Sequence, residues 1–330
     1  MLADIDLMQA YLANAQLTLN HDVACAQALL AHAQVFLPPS HLPVSACAPM
    51  HMVVGIGLDT GIKRRGKPNE DFVFAHSGLN KQTQVPYGLF IVADGMGGHA
   101  NGQIASCLAT QTIVDTLFPI LHREVVQPSD LGNLLIDAVS QANQAIYERN
   151  RDQTTHGSRL IDRMGTTITV AVVFGMQAFI ANVGDSRAYL YQAGSGLRAV
   201  TRDHSIVANL VARGELGPEA IYTHPDRNRI TRCLGAFPEI EVDLFRESLQ
   251  NGDILLLCTD GLWEMVRDPH IERIISSASP ANRMAEQLLG LALQGGGRDN
   301  IGLIVVQCQF DIAALETIIT PPAASASLLP

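Results

Sequence analysis

Four aspartates stand where an apolar run meets a turn, a setting in which carboxylates suit a hard cation. Asp94 follows the apolar run 90–93 and precedes Gly95, with Gly97, Gly98 and His99 close behind. Asp260 follows the run 254–258 and precedes Gly261, while Asp71 opens one apolar run and Asp299 precedes the last. Glycine lets the backbone turn sharply and brings peptide groups close to whatever lies there. Any one of these aspartates is read as readily as a turn residue or cap. Four in one setting read better together. Strand ends at one edge of a sandwich converge from distant parts of a sequence. Carboxylates gathered there shift one another's pKa strongly unless a cation neutralises them. An all-oxygen ligand set suits Mg²⁺ or Mn²⁺ better than zinc. Two such ions about 4 Å apart bridge a water, lower its pKa and clamp an oxygen-rich electrophile.

The elements that must hold these residues follow from periodicity and punctuation. Strands are expected over 52–58, from 71 onward and over 87–93, so that Asp94 sits where its strand leaves the sheet. Two long helices follow, over 103–117 and 129–151, with Pro119 and Pro128 punctuating the gap between them. Strand patterns over 166–174, 178–183 and 187–191 are joined by glycine-bearing loops, which indicates antiparallel sheet. On residues alone, Gly184-Asp185-Ser186 is a hairpin turn. Residues 201–238 form a polar, Arg- and His-rich excursion with one short helix over 205–213; excursions of this length are more often functional than spacers. Strands over 241–245, 254–258 and 301–307, and helices over 269–276 and 281–294, complete the pattern.

The 330 residues suffice for one large domain or two ordinary ones. A formal charge of −10 argues against a nucleic-acid partner and offers no attraction to anionic lipid. No uninterrupted apolar run approaches the roughly 18 residues of a membrane span. The six cysteines are scattered without a C-x-x-C pair, which suits a reduced, cytoplasmic chain. Three segments are expected: a helical extension and Pro-bearing linker over 1–50, a main domain over 51–310, and a loose tail over 311–330.

Six ordered motifs carry a resemblance. Asn69-Glu70-Asp71, the run 92–99 around Asp94-Gly95, Met164-Gly165-Thr166-Thr167, Gly184-Asp185-Ser186-Arg187, Thr259-Asp260-Gly261-Leu262 and Asp299-Asn300-Ile301 resemble the metal-dependent protein phosphatases of the 2C type, especially their bacterial branch. The segments 203–205, 224–228 and 231–235 look like that branch's flap. The resemblance implies an α+β fold, a four-layer αββα sandwich of two antiparallel sheets flanked by helices. It implies that Asp94 bridges two Mn²⁺ or Mg²⁺ ions, with the Gly95 carbonyl on the first. Asp71, Asp260 and Asp299 complete the shell, with Glu70 a substitute for Asp71, and Asp185 helps hold a third, weaker ion.

The chemistry implied is hydrolysis of phosphoserine or phosphothreonine by in-line attack of a hydroxide bridging the two ions, without a phosphoenzyme. An arginine would stabilise the phosphoryl oxygens, its fork of donors matching them. The sequence departs from the family in two places. Lys67-Pro68 occupies the usual place of the arginine before Asn69, so Arg64, in a loop grown by two residues, takes that role, with Arg65 the alternative. Met96 stands where some members place a histidine, leaving His99 as the general acid or as a residue orienting the glycine turn or a water. The partners implied are phosphorylated proteins, targets of serine/threonine kinases, met by a monomer. Two other readings are a regulatory pseudophosphatase or phosphopeptide-binding module that uses the N-terminal helices, and a phosphoesterase acting on small molecules.

Overall fold

In a computed structural model the described residues are 11–12, 14, 50–97, 101–155 and 163–310. The tail 311–330, His99 and the expected N-terminal helices, apart from residues 11, 12 and 14, lie outside them.

Two antiparallel sheets stack face to face. The first has the order β1-β11-β10-β7-β8, from Met50–Asp59 (β1), Ile301–Phe310 (β11), Ile254–Cys258 (β10), Arg187–Gln192 (β7) and Gly196–Ala199 (β8). The second has the order β2-β3-β5-β6-β9, from Asp71–Leu79 (β2), Pro86–Met96 (β3), Ile168–Phe174 (β5), Gln177–Val183 (β6) and Asp243–Ser248 (β9). The short β4, Gly165–Thr166, pairs with the end of β3.

Helices cover both outer faces. Asn101–Arg123 (α1) and Leu131–Thr155 (α2) pack on the second sheet, and the excursion after β8 carries the short Ile206–Ala212 (α3) and Ala220–Thr223 (α4). Asp260–Trp263 (α5), Asp268–Ile275 (α6) and Ala281–Gln294 (α7) pack on the first. The expected αββα sandwich is what the chain forms.

The apolar runs of β10 and β11 explain why four layers hold together. Side chains alternate across a strand, so Leu255, Leu257, Ile304 and Val306 enter the core between the sheets. Their neighbours Ile254, Leu256, Leu303 and Val305 enter a second core beneath α5–α7. On the other side, α1 buries Ala105, Ala109, Ile113, Leu117 and Leu121, a helical stripe against β2 and β3. Among the described residues α1 alone is long and apolar enough by composition to cross a membrane, and half of that stretch is buried here.

Several boundaries differ from expectation. Helix α1 continues through Pro119 to Arg123. An interior proline costs about 3 kcal/mol, and tertiary packing opposes it: Phe118 and Leu121 are buried, and Tyr87 Oη lies 2.9 Å from His122 Nδ1. Strand β9 starts two residues late, because Asn182 of β6 pairs with Asp243 while Glu241 forms an ion pair with Arg232. The four-residue β8 carried too short an apolar signal to be anticipated. Strand β3 runs past Asp94 to Met96, so the turn begins only at Gly97, whose φ is 154°.

Tyr11 and Asn14 are buried. Asn14 Nδ2 donates to the Ala75 carbonyl and its Oδ1 accepts from the Ala75 N–H, both at 2.8 Å. Since β2 is the last strand of its sheet among the described residues, this side chain continues the ladder beyond it. Tyr11 Oη donates to Asp115 of α1 at 2.9 Å.

Candidate active site

Register does the first part of the work. The β2–β3 ladder sets Asp71 directly opposite Asp94. Asp71 is held by the Thr259 hydroxyl, which donates to its Oδ2 at 2.7 Å, and its own N–H donates to Asn69. Around Asp94 the backbone is clamped: its N–H donates to Thr167 Oγ1 at 3.0 Å, and its carbonyl accepts from Thr167 N–H and the Thr166 hydroxyl. Gly95 is required by space, since a Cβ there would collide with the Gly102 carbonyl.

Asp185 is buried between β6 and β7. These strands lie in different sheets, so 184–186 is a crossover from one sheet to the other, not a hairpin turn. Behind it, Trp263 Nε1 donates to the Asp185 carbonyl at 3.0 Å. The Trp263 ring lies under the Arg187 guanidinium, which forms a two-point ion pair with Asp203. Asp260 opens α5, and Asp299 lies two residues before the first residue of β11.

Asp94, Asp185, Asp260 and Asp299 meet in one cleft of about 290 Å³, lined also by Arg64, Gly95, Glu70 and, from the flap, Asn228 and Ile230, whereas Asp71 is buried and does not line it. Arg64 pairs with Glu70 and, at 3.0 Å, with Asp299. Arg65 is exposed and does not line the cleft. Asn300 ties the base together: its Oδ1 accepts from Glu70 N–H at 2.8 Å and its Nδ2 donates to the Thr60 carbonyl at 2.9 Å. The roles of Thr167, Thr259, Asn300 and Trp263 were not apparent from sequence. Three of the four lie in the matched motifs, and for Thr259 and Asn300 a place directly beside Asp260 and Asp299 was the available signal.

Electrostatics sets the chemistry. Burial pushes Asp94 well above the usual carboxylate range, reinforced by Asp260, Asp71, Asp185 and Asp299. Burial does the same to Asp260, with Asp185 and Asp299 adding to it. Asp71 rises to about 7, through burial and then Asp299, against the Thr259 hydrogen bond. Asp185 rises to about 7 through burial and the nearby Asp203.

Among the described residues no three acidic, histidine or cysteine groups meet at a single point. The carboxylates instead face one another across the cleft. The oxygens of Asp71, Asp94, Asp185 and Asp260 are desolvated, Asp299 is more open, and the set fits hard divalent cations and offers nothing to a soft one.

Comparison with known proteins agrees. The family model for protein phosphatase 2C matches residues 60–291. The serine/threonine phosphatase Stp of Listeria monocytogenes is 35% identical over 219 residues, 66% of this chain and 84% of that protein. Protein phosphatase PhpP of Streptococcus pneumoniae is 33% identical over 255 residues, 77% of this chain and 97% of that protein. The solved catalytic domain of the serine/threonine protein phosphatase PstP, in complex with two manganese ions, is 30% identical. It superposes with a TM-score of 0.65 over 79% of this chain and 99% of that one. The converging carboxylates, the sandwich that gathers them and these relatives lead to one conclusion: the chain belongs to the protein phosphatase 2C family of metal-dependent serine/threonine phosphatases.

Proposed function

We propose that this cleft hydrolyses phosphoserine and phosphothreonine in phosphorylated proteins, with Asp71, Asp94, the Gly95 carbonyl, Asp260 and Asp299 holding two Mn²⁺ or Mg²⁺ ions. Asp185 is positioned to help hold a third. When bound, such ions supply Lewis acidity and a water of lowered pKa. The protein's own part is positioning. Arg64, oriented by Glu70 and Asp299, presents a fork of N–H donors to the phosphoryl oxygens. Thr259 and Thr167 fix the strand ends that carry Asp71 and Asp94. Asn228 brings an amide to the opposite wall. His99 remains assigned to protonating the leaving oxygen or orienting the glycine turn.

The observation that carries this reading is the convergence of acidic residues from five separate segments on one cleft beside an arginine. The reading extends to a monomer that acts on products of serine/threonine kinases in the cytoplasm. The catalytic unit is residues 51–310, preceded by the extension that bears Tyr11 and Asn14. The test is phosphate release from a phosphothreonine peptide with Mn²⁺ or Mg²⁺, then with chelator, beside Asp94→Ala and Asp299→Ala. Metal-dependent release abolished in both variants supports the assignment. No release with metal demonstrably bound overturns it.

A further inference from the structure

The segment leading into the cleft carries four cations in five positions, Lys63, Arg64, Arg65 and Lys67, in a chain whose net charge is −10. Arg64 is consumed by the site. Lys63, Arg65 and Lys67 are exposed, and among the described residues none of the three has an ion-pair partner.

The segment is fixed, not merely solvated. Lys63 N–H donates to the Gly297 carbonyl at 2.9 Å, and Gly61 packs so tightly on the Asp299 carbonyl that a Cβ would not fit. Beyond Arg64 the chain makes a type II turn. Arg65 has φ −53° and ψ 132°, Gly66 has φ 85°, and Lys67 N–H donates to the Arg64 carbonyl at 3.0 Å. That closure keeps the Cα atoms of Arg64 and Lys67 within about 7 Å, the span of roughly two residues of extended peptide. A phosphoryl group held by Arg64 therefore has unpaired cations about two to three residues away along a bound segment.

We propose that this turn is a specificity rim, selecting phosphoprotein segments that carry a second negative charge, an acidic side chain or another phosphate, two or three residues from the scissile phosphoester. The proposal rests on the phosphatase reading and names a substrate class for it. Exposed pairs of this kind are worth little each, a factor of about two per contact. They act over about 8 Å at physiological ionic strength, so the preference is local and sensitive to salt.

The experiment uses the full chain with Mn²⁺ and three phosphothreonine peptides: alanine-flanked, aspartate-flanked at the second and third positions on either side, and doubly phosphorylated. p-Nitrophenyl phosphate serves as a flank-free ester. The variant is Lys63→Gln/Lys67→Gln, which leaves Arg64 and Arg65 in place. The expected result is a kcat/KM for the charged peptides about three- to fivefold above the neutral one at low salt. That ratio falls toward one in the double variant or at high salt, with p-nitrophenyl phosphate turnover unchanged. A ratio that is the same in wild type and variant overturns the proposal. So does an equal loss on every ester, which would mean that the lysines only offset the cleft carboxylates. If wild type hydrolyses none of the four esters with metal bound, the phosphatase reading itself falls, and the rim falls with it.

Discussion

Asn14 offers a quantitative test of how the N-terminal segment is attached to the catalytic sandwich. Its amide makes two 2.8 Å hydrogen bonds to one residue, Ala75, and both are buried. Asn14→Ala leaves an N–H and a C=O of the last strand without their partner. An orphaned buried backbone group costs about 1–3 kcal/mol, and water reaching the sheet edge recovers part of the sum. The expected loss is therefore about 2–4 kcal/mol, a drop in Tm on the order of 5–10 °C for a domain of this size. Asn14→Asp should be no better than alanine, because a carboxylate still accepts from the Ala75 N–H but turns a charged oxygen toward its carbonyl. Urea denaturation of the three proteins with bound metal reads the effect as a lower midpoint at constant slope. A midpoint for Asn14→Ala within error of wild type would refute the reasoning and mean that Asn14 merely rests on the edge.

Three further outcomes are expected. Arg64→Ala lowers kcat/KM for a phosphopeptide about 100-fold, and Arg64→Lys recovers only part, since a point charge lacks the two-point fork; steady-state kinetics decide. Metal-free Asp71 and Asp185 lie near 7, well above their unfolded value, so the fold holds more protons than the unfolded chain between about pH 4 and 7. Metal-free stability therefore falls as pH rises through that window, while Mn²⁺ affinity tightens and binding at pH 6 releases protons, measurable by calorimetry in buffers of different ionisation heat. Trp263→Phe keeps a ring under Arg187 but strips the donor from the buried Asp185 carbonyl. It should cost about 1–3 kcal/mol in a thermal melt, and an unchanged melt would dismiss the contact.

Much of this was legible because two signals coincide in the chain. The run Ile254–Cys258 is apolar at every position since the strand is covered on both faces, and an aspartate follows after the single residue Thr259, so element and site announce each other. The same held for Asp94 and Asp299. What stayed hidden depends on partners remote in sequence. Thr259 reaches Asp71 across 188 positions and Asn300 reaches Thr60 across 240, and nothing local marks a threonine or asparagine for such a task. Asp185 looked like a hairpin residue because strand patterns flank it, and only the sheet assignment reveals a crossover. Pro119 misled for the complementary reason, as a local breaker was overruled by burial on either side of it.

The placement of β11 bears on when during synthesis this phosphatase can first act. The last described strand lies between β1, the first, and β10, pairing with β1 along its whole length and with β10 over 303–307. Asp299 and Asn300 enter the site at its head. A ribosome-bound chain lacking these final residues has the first sheet split in two, and neither Asp299 nor the amide bridging Thr60 to Glu70. Pairings of such long sequence separation also form slowly. A chain cut before Asp299 thus lacks both a site carboxylate and the strand that joins β1 to β10.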